Sequence, residues 1–139
     1  MMIKRIKKKI NGHTSVIIYN YEEIVKLIDS SWDGNIRIWN FHTNDLLNKF
    51  QIGINDQNLY GICLWNNNYL YVGCDNYLIL VNLKTGKIEN KLEIYEKDKN
   101  VLTIKKLNYP KYGKCLIIQG LEESPIKLYF DKEINLFNK

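Results

Sequence analysis

Short runs of apolar and aromatic side chains, each ended by turn-forming residues, recur along the whole chain. Residues 15–20 read SVIIYN, 35–41 read NIRIWNF, 69–72 read YLYV, 77–81 read YLILV, 114–119 read KCLIIQ and 125–130 read PIKLYF. Each run is strand-sized and rich in β-branched and aromatic residues, which fit a pleated, half-buried surface. In the second run Ile36, Ile38 and Asn40 share one face. Asp33-Gly34 between two such runs is a strong tight-hairpin signal, and Asp75-Asn76 is a weaker copy. Thr43-Asn44-Asp45 and Thr85-Gly86-Lys87 are turn clusters. No window of helical length has a 3.6-residue period. Ile3, Ile6 and Ile10 fit one helical face, but that segment is short and uncapped. The pattern predicts an all-β protein.

The runs repeat without gaps. A step of 42 carries Asp33 to Asp75, Ile36 to Leu78, Ile38 to Leu80, Trp39 to Val81, Asn40 to Asn82, Thr43 to Thr85 and Leu46 to Ile88. Ile10, Ile52 and Ile94 keep the same step. A third, stretched copy places Tyr129 48 residues after Val81, and Ile126-Lys127-Leu128-Tyr129 echoes Ile36-Arg37-Ile38-Trp39. The spacing predicts units at about 11–52, 53–94 and 95–139, each with four antiparallel strands. The strands are expected at 15–20, 24–30, 35–41 and 46–52; at 59–65, 69–74, 77–83 and 87–94; and at 101–108, 114–120, 125–130 and 133–137. Residues 3–10 read as a lone strand of a neighbouring unit.

A repeat of this length with four strands is the blade of a β-propeller. The first unit resembles the WD-repeat family at Gly12-His13 and at Ser30-Ser31-Trp32-Asp33-Gly34-Asn35-Ile36-Arg37-Ile38-Trp39, with Asn40 in place of that family's Asp. The resemblance implies a structural hydrogen-bond chain of His13, Ser31 (or Ser30), Asp33 and Trp39. Such a chain is chemically sound: a carboxylate accepts from an imidazole, the imidazole pairs a hydroxyl, and the hydroxyl accepts from the indole N–H. The second unit keeps Asp75 but has Gly73 and Val81 at the other positions, and the third has Glu123 and Tyr129. Those units must rely on apolar packing.

Three blades do not close a ring, so an apolar face is expected at each end of the array. A fragment of a longer propeller, two copies forming a six-bladed ring, or a partner supplying the missing blades would each cover those faces. The resemblance implies a non-enzymatic scaffold for protein–protein contact, met at the loops joining second to third and fourth to first strands. Trp32, before the Asp33-Gly34 turn, is the leading contact candidate, because an exposed indole brings a large rigid area. Cys74 is read as its counterpart, and Tyr60 is a third candidate.

Composition refines this picture. The chain has 139 residues, a formal net charge of +5 and no alanine. Of its 20 basic residues only Arg5 and Arg37 are arginine. This bias follows A/T-rich codons, so it points to an AT-rich genome and weakens any functional reading of the charge. The alternative function is a basic, aromatic β-sheet module for nucleic acid or another anionic surface. Lys4, Arg5, Lys7, Lys8 and Lys9 form its dense cluster, and Lys105, Lys106, Lys111 and Lys114 a looser one. Two arginines are few for base-edge recognition, and no nucleic-acid motif is present.

No apolar run approaches the roughly 20 residues of a membrane span. Cys63, Cys74 and Cys115 form no CxxC pair and read as buried, reduced thiols. The expectation is therefore a soluble, intracellular protein, cytoplasmic or nuclear. With only His13 and His42, no zinc spacing can be assembled, and no cofactor is expected. Ser31, His13 and Asp33 lack a nucleophile elbow and an oxyanion loop, and Glu22-Glu23 and Glu122-Glu123 read as solvated turn residues, so no catalytic residue is assigned.

Overall fold

The computed structural model describes residues 12–54, 57–111 and 113–130. Their chain forms eleven strands: β1 (His13–Tyr21), β2 (Ile24–Ser31), β3 (Asn35–Asn40), β4 (Leu46–Gln51), β5 (Leu59–Asn66), β6 (Tyr69–Cys74), β7 (Tyr77–Asn82), β8 (Ile88–Glu93), β9 (Val101–Tyr109), β10 (Gly113–Gly120) and β11 (Lys127–Phe130). Consecutive strands pair antiparallel into three meanders, β1-β2-β3-β4, β5-β6-β7-β8 and β9-β10-β11, called sheets 1, 2 and 3 below. The strands expected at 3–10 and 133–137 lie outside the described residues. β11 begins at Lys127 rather than at 125, because Pro125 has no N–H for the ladder and its carbonyl accepts instead from the Tyr95 hydroxyl at 2.6 Å.

From the second-to-third-strand hairpin through the fourth strand, the 42-residue step between sheets 1 and 2 is written into the backbone hydrogen bonds, whereas the second strands are offset by 43, which sets Gly73 against Ser30 rather than Ser31 and leaves Asp33 and Asp75 non-equivalent. Ile52 and Gly53 N–H donate to the Gly34 carbonyl, and Ile94 and Tyr95 N–H donate to the Asn76 carbonyl. Asn40 N–H donates to Asp45 O, and Asn82 N–H donates to Lys87 O. The Asn40 side-chain oxygen accepts from the N–H of His42 and Thr43 at 2.9 and 3.1 Å; that of Asn82 accepts from Lys84 and Thr85 at 2.9 and 3.3 Å. An Asn closes this turn as an Asp would, since only an acceptor oxygen is required.

Two apolar layers hold the sheets face to face. Ile28, Ile36 and Ile38 of sheet 1 pack on Leu70, Val72, Ile79 and Val81 of sheet 2. The opposite face of sheet 2, with Cys63, Tyr71, Leu78 and Leu80, packs on Ile104, Leu116 and Ile118 of sheet 3. Each fully buried aliphatic side chain contributes roughly 1.5–3 kcal/mol of transfer free energy. Burial on both faces is why β6 and β7 are unbroken apolar runs, while β4 and β8 at the sheet edges are largely exposed and carry Lys49 and Lys91.

Sheet 2 approaches sheet 3 closely enough that backbone meets backbone. A Cβ at Gly73 would press on the Val101 carbonyl oxygen, and one at Gly61 on the Leu102 carbonyl oxygen. On the outer face of sheet 1, Val16 and Ile18 are 57% and 58% exposed. On the outer face of sheet 3, Leu128 is 52% exposed.

Candidate functional site

Sheet 1 carries a buried polar group of residues on the face turned away from sheet 2. The hairpin centred on Asp33 sets Asp29 opposite Arg37 and Leu27 opposite Trp39, so Asp29, Ser31, Arg37 and Trp39 share that face. Arg37 donates to the Ser31 hydroxyl at 2.9 Å and forms an ion pair with Asp33, while Ser31 donates to the other Asp33 oxygen. Asp33 also accepts from the Asn35 N–H at 3.1 Å. Partial burial alone would raise the Asp33 carboxyl. The hydrogen bonds from Arg37, Ser31 and Asn35 outweigh it and hold the group well below the usual carboxylate range.

This wiring differs from the expected one. The Trp39 indole donates to Asp29 at 2.6 Å rather than to the Ser31 hydroxyl, which is taken up by Asp33 and Arg37. Geometry decides: Ser31 and Trp39 lie toward opposite ends of the paired strands, whereas Asp29 is diagonal to Trp39. The sequence reading missed Asp29 and Arg37. Their equal distance from Asp33 was the signal, since a symmetric hairpin pairs such positions. The side chain of His13 lies outside the described residues, as do Lys4, Arg5, Lys7, Lys8 and Lys9.

The second-to-third-strand hairpins and the fourth-to-first-strand connections lie at one common end. Trp32 N–H bonds Gly12 O at 2.9 Å, Asp75 N–H bonds Asn58 O at 3.1 Å, and Leu121 N–H bonds Asn100 O at 3.1 Å. Each hairpin is thus tied to the residues leading into its sheet's first strand. Trp32 is 57% exposed and rests on Gly12, where an added Cβ would meet the indole at 2.8 Å. Tyr60 is half-buried and fixed from both sides: its carbonyl accepts from Ser30 and Thr14, and its hydroxyl accepts from Asn100 at 2.9 Å.

Cys74 is not a surface residue. It is fully buried in the layer between sheets 1 and 2, and burial, aided by the Asp75 charge, pushes its thiol up to about 11. Nor is it the counterpart of Trp32. The first hairpin has three loop residues, Trp32-Asp33-Gly34, whereas the second has only Asp75-Asn76 between the paired Cys74 and Tyr77. The shorter loop moves Asp75 into the hydrogen-bonding place of Trp32.

Beside Asp75 a cleft of about 600 Å³ opens. Tyr60 and Tyr77 line it together with Asp75, Glu93, Asp98 and Lys97. At the opposite end of the sheets, Trp65 is flanked by Lys114 at 5.5 Å and Lys106 at 6.0 Å, and Lys106 donates to the Trp65 carbonyl at 3.1 Å. Among the described residues, no three His, Cys, Asp or Glu side chains gather as a metal site, and no helix is long and apolar enough to cross a membrane.

The sequence matches no family of known proteins and no curated protein. Among solved structures the chain is similar to two computationally designed proteins. With the designed Ika4 protein the TM-score is 0.57 at 14% identity, over 81% of this chain and 63% of that one. With the designed Ika8 protein it is 0.56 at 15% identity, over 81% of this chain and 32% of that one. The chain therefore spans less than two thirds of either, and at these identities the likeness is one of fold.

Proposed function

We propose that the three sheets are successive WD-repeat-like propeller blades and that the chain is a non-enzymatic platform for protein–protein contact at the end bearing Trp32. The exposed indole on a short hairpin anchored to Gly12 carries this reading. Large aromatic area held rigid before binding loses little entropy on contact. The recurrence of the same backbone bonds 42 residues apart supports a repeated blade, and the exposed Val16, Ile18 and Leu128 are the surfaces that further blades or a second copy would cover.

The test is a photo-crosslinking amino acid placed at position 32 and, separately, at exposed Lys111 on the opposite end. Discrete protein adducts at position 32 that are absent at 111 support the platform. Equal labelling at both positions, or unfolding of the Trp32→Ala variant, would show that Trp32 has a packing role instead.

A second reading is favoured by the lysines around Trp65, a basic and aromatic patch suited to an anionic polymer. Oligonucleotide binding that falls steeply with salt and is lost on joint Lys106→Ala and Lys114→Ala replacement would support it; no binding at low salt would end it.

A further inference from the structure

We propose that the cleft beside the Asp75-Asn76 hairpin is a binding site for a protein segment that presents an arginine or lysine side chain. This rests on reading the loop end as the contact face, and it assigns that face a partner chemistry opposite to what the net charge of +5 suggests.

The cleft exists because the repeat is imperfect. In sheet 1 the residue bonded to the start of the first strand is Trp32, and its indole covers Gly12. In sheet 2 the same bond is made by Asp75 to Asn58, so a small carboxylate stands where the large indole would be. The opening of about 600 Å³ falls within the range of pockets that enclose a side chain and its flanking backbone.

Its walls suit a planar cation. Tyr60 and Tyr77 supply aromatic surface, and the lining holds three carboxylates, Asp75, Glu93 and Asp98, to one ammonium, Lys97. The Tyr77 ring already holds one cation of the chain itself, since Lys91, outside the cleft lining, lies 4.3 Å from its centroid; the Tyr60 ring and the carboxylates are left for a ligand. The polar lining is held in place before any ligand arrives. Asn76, itself buried, donates to Glu93 at 3.2 Å and to the Tyr95 carbonyl at 2.9 Å, and Asp75 accepts the Asn58 N–H at 3.2 Å. Each carboxylate accepts about four hydrogen bonds in all, so both keep capacity for a guanidinium fork.

Nuclear magnetic resonance titration of the full chain with a capped Gly-Gly-Arg-Gly-Gly peptide tests this. Expected are saturable shifts at the backbone amides of Asn58, Asp75 and Asn76, with an affinity in roughly the millimolar range for so small a probe. The joint Asp75→Asn and Glu93→Gln variant should weaken binding by at least about fivefold, and Lys97→Gln should strengthen it about twofold. The glutamate version of the peptide should leave these amides unmoved. Absence of saturable shifts, equal response to the glutamate peptide, or gain in neither direction with the charge variants of a folded chain would overturn the site. Crosslinking at position 32 is independent of this result. A silent cleft with adducts at 32 removes only the cation site, whereas a binding cleft with no adducts removes only the role of Trp32.

Discussion

Replacing Arg37 with isoleucine should cost about 2 kcal/mol, and that cost should shrink in acid. Isoleucine is the natural comparison because Ile79 occupies the position 42 residues later and is 1% exposed there. The Arg37 side chain is 8% exposed and that of Asp33 33%. Breaking a fully buried pair costs roughly 3–5 kcal/mol, because a charge is stranded without solvent. Breaking an exposed pair costs roughly 0–1 kcal/mol. Asp33 lies between these limits: water reaches its open side and replaces part of what Arg37 gave. Its remaining donors are the Ser31 hydroxyl and the Asn35 N–H.

The acid dependence follows from the lowered Asp33 carboxyl. A depressed carboxyl contributes stability that is fully present above its unfolded pKa of about 3.9, declines below it, and is lost only as pH falls through the lowered folded value. Urea unfolding followed by tryptophan fluorescence, at neutral pH and at about pH 2.5, measures both effects. At about pH 2.5 the parent should keep only part of its advantage over Arg37→Ile, and adding Asp33→Asn to Arg37→Ile should recover much of the neutral-pH loss. A variant as stable as the parent at neutral pH, or a gap unchanged in acid, would refute the assignment of Arg37 as the partner that holds Asp33.

Other consequences are open to direct measurement. Gly73→Ala should lower stability by about 2 kcal/mol, seen as a lower urea midpoint at unchanged slope, because the new methyl meets the Val101 carbonyl across the sheet 2–sheet 3 contact. Burial raises the thiols of Cys63 and Cys74, the latter to about 11, so a disulfide reagent at mildly alkaline pH should modify them slowly in the native chain and rapidly in urea. Glu22 and Glu23 form the two-residue β1–β2 turn at φ values of 51° and 63°. Joint Glu22→Asn and Glu23→Gly replacement should therefore stabilise the chain by about 1 kcal/mol, read as a higher Tm.

Strands and turns were legible in the sequence because their causes are local. Alternation and β-branched runs such as YLILV write the strand, and Asp33-Gly34 or Asp75-Asn76 write the reversal, without reference to the rest of the chain. The 42-residue step was legible too, since equivalent turns need equivalent side chains: Asn40 and Asn82 close the same loop with the same acceptor oxygen. What tertiary structure alone decided depends on registers that a fixed step does not encode. One missing loop residue in the second hairpin moved Asp75 into the place of Trp32, buried Cys74 and opened the cleft. The diagonal between β2 and β3 gave the Trp39 indole to Asp29 and left Ser31 and Asp33 to Arg37. Hydrogen bonds are settled over a few ångströms, and a shift of one residue in pairing exchanges one neighbour for another while leaving the pattern of apolar and polar letters unchanged.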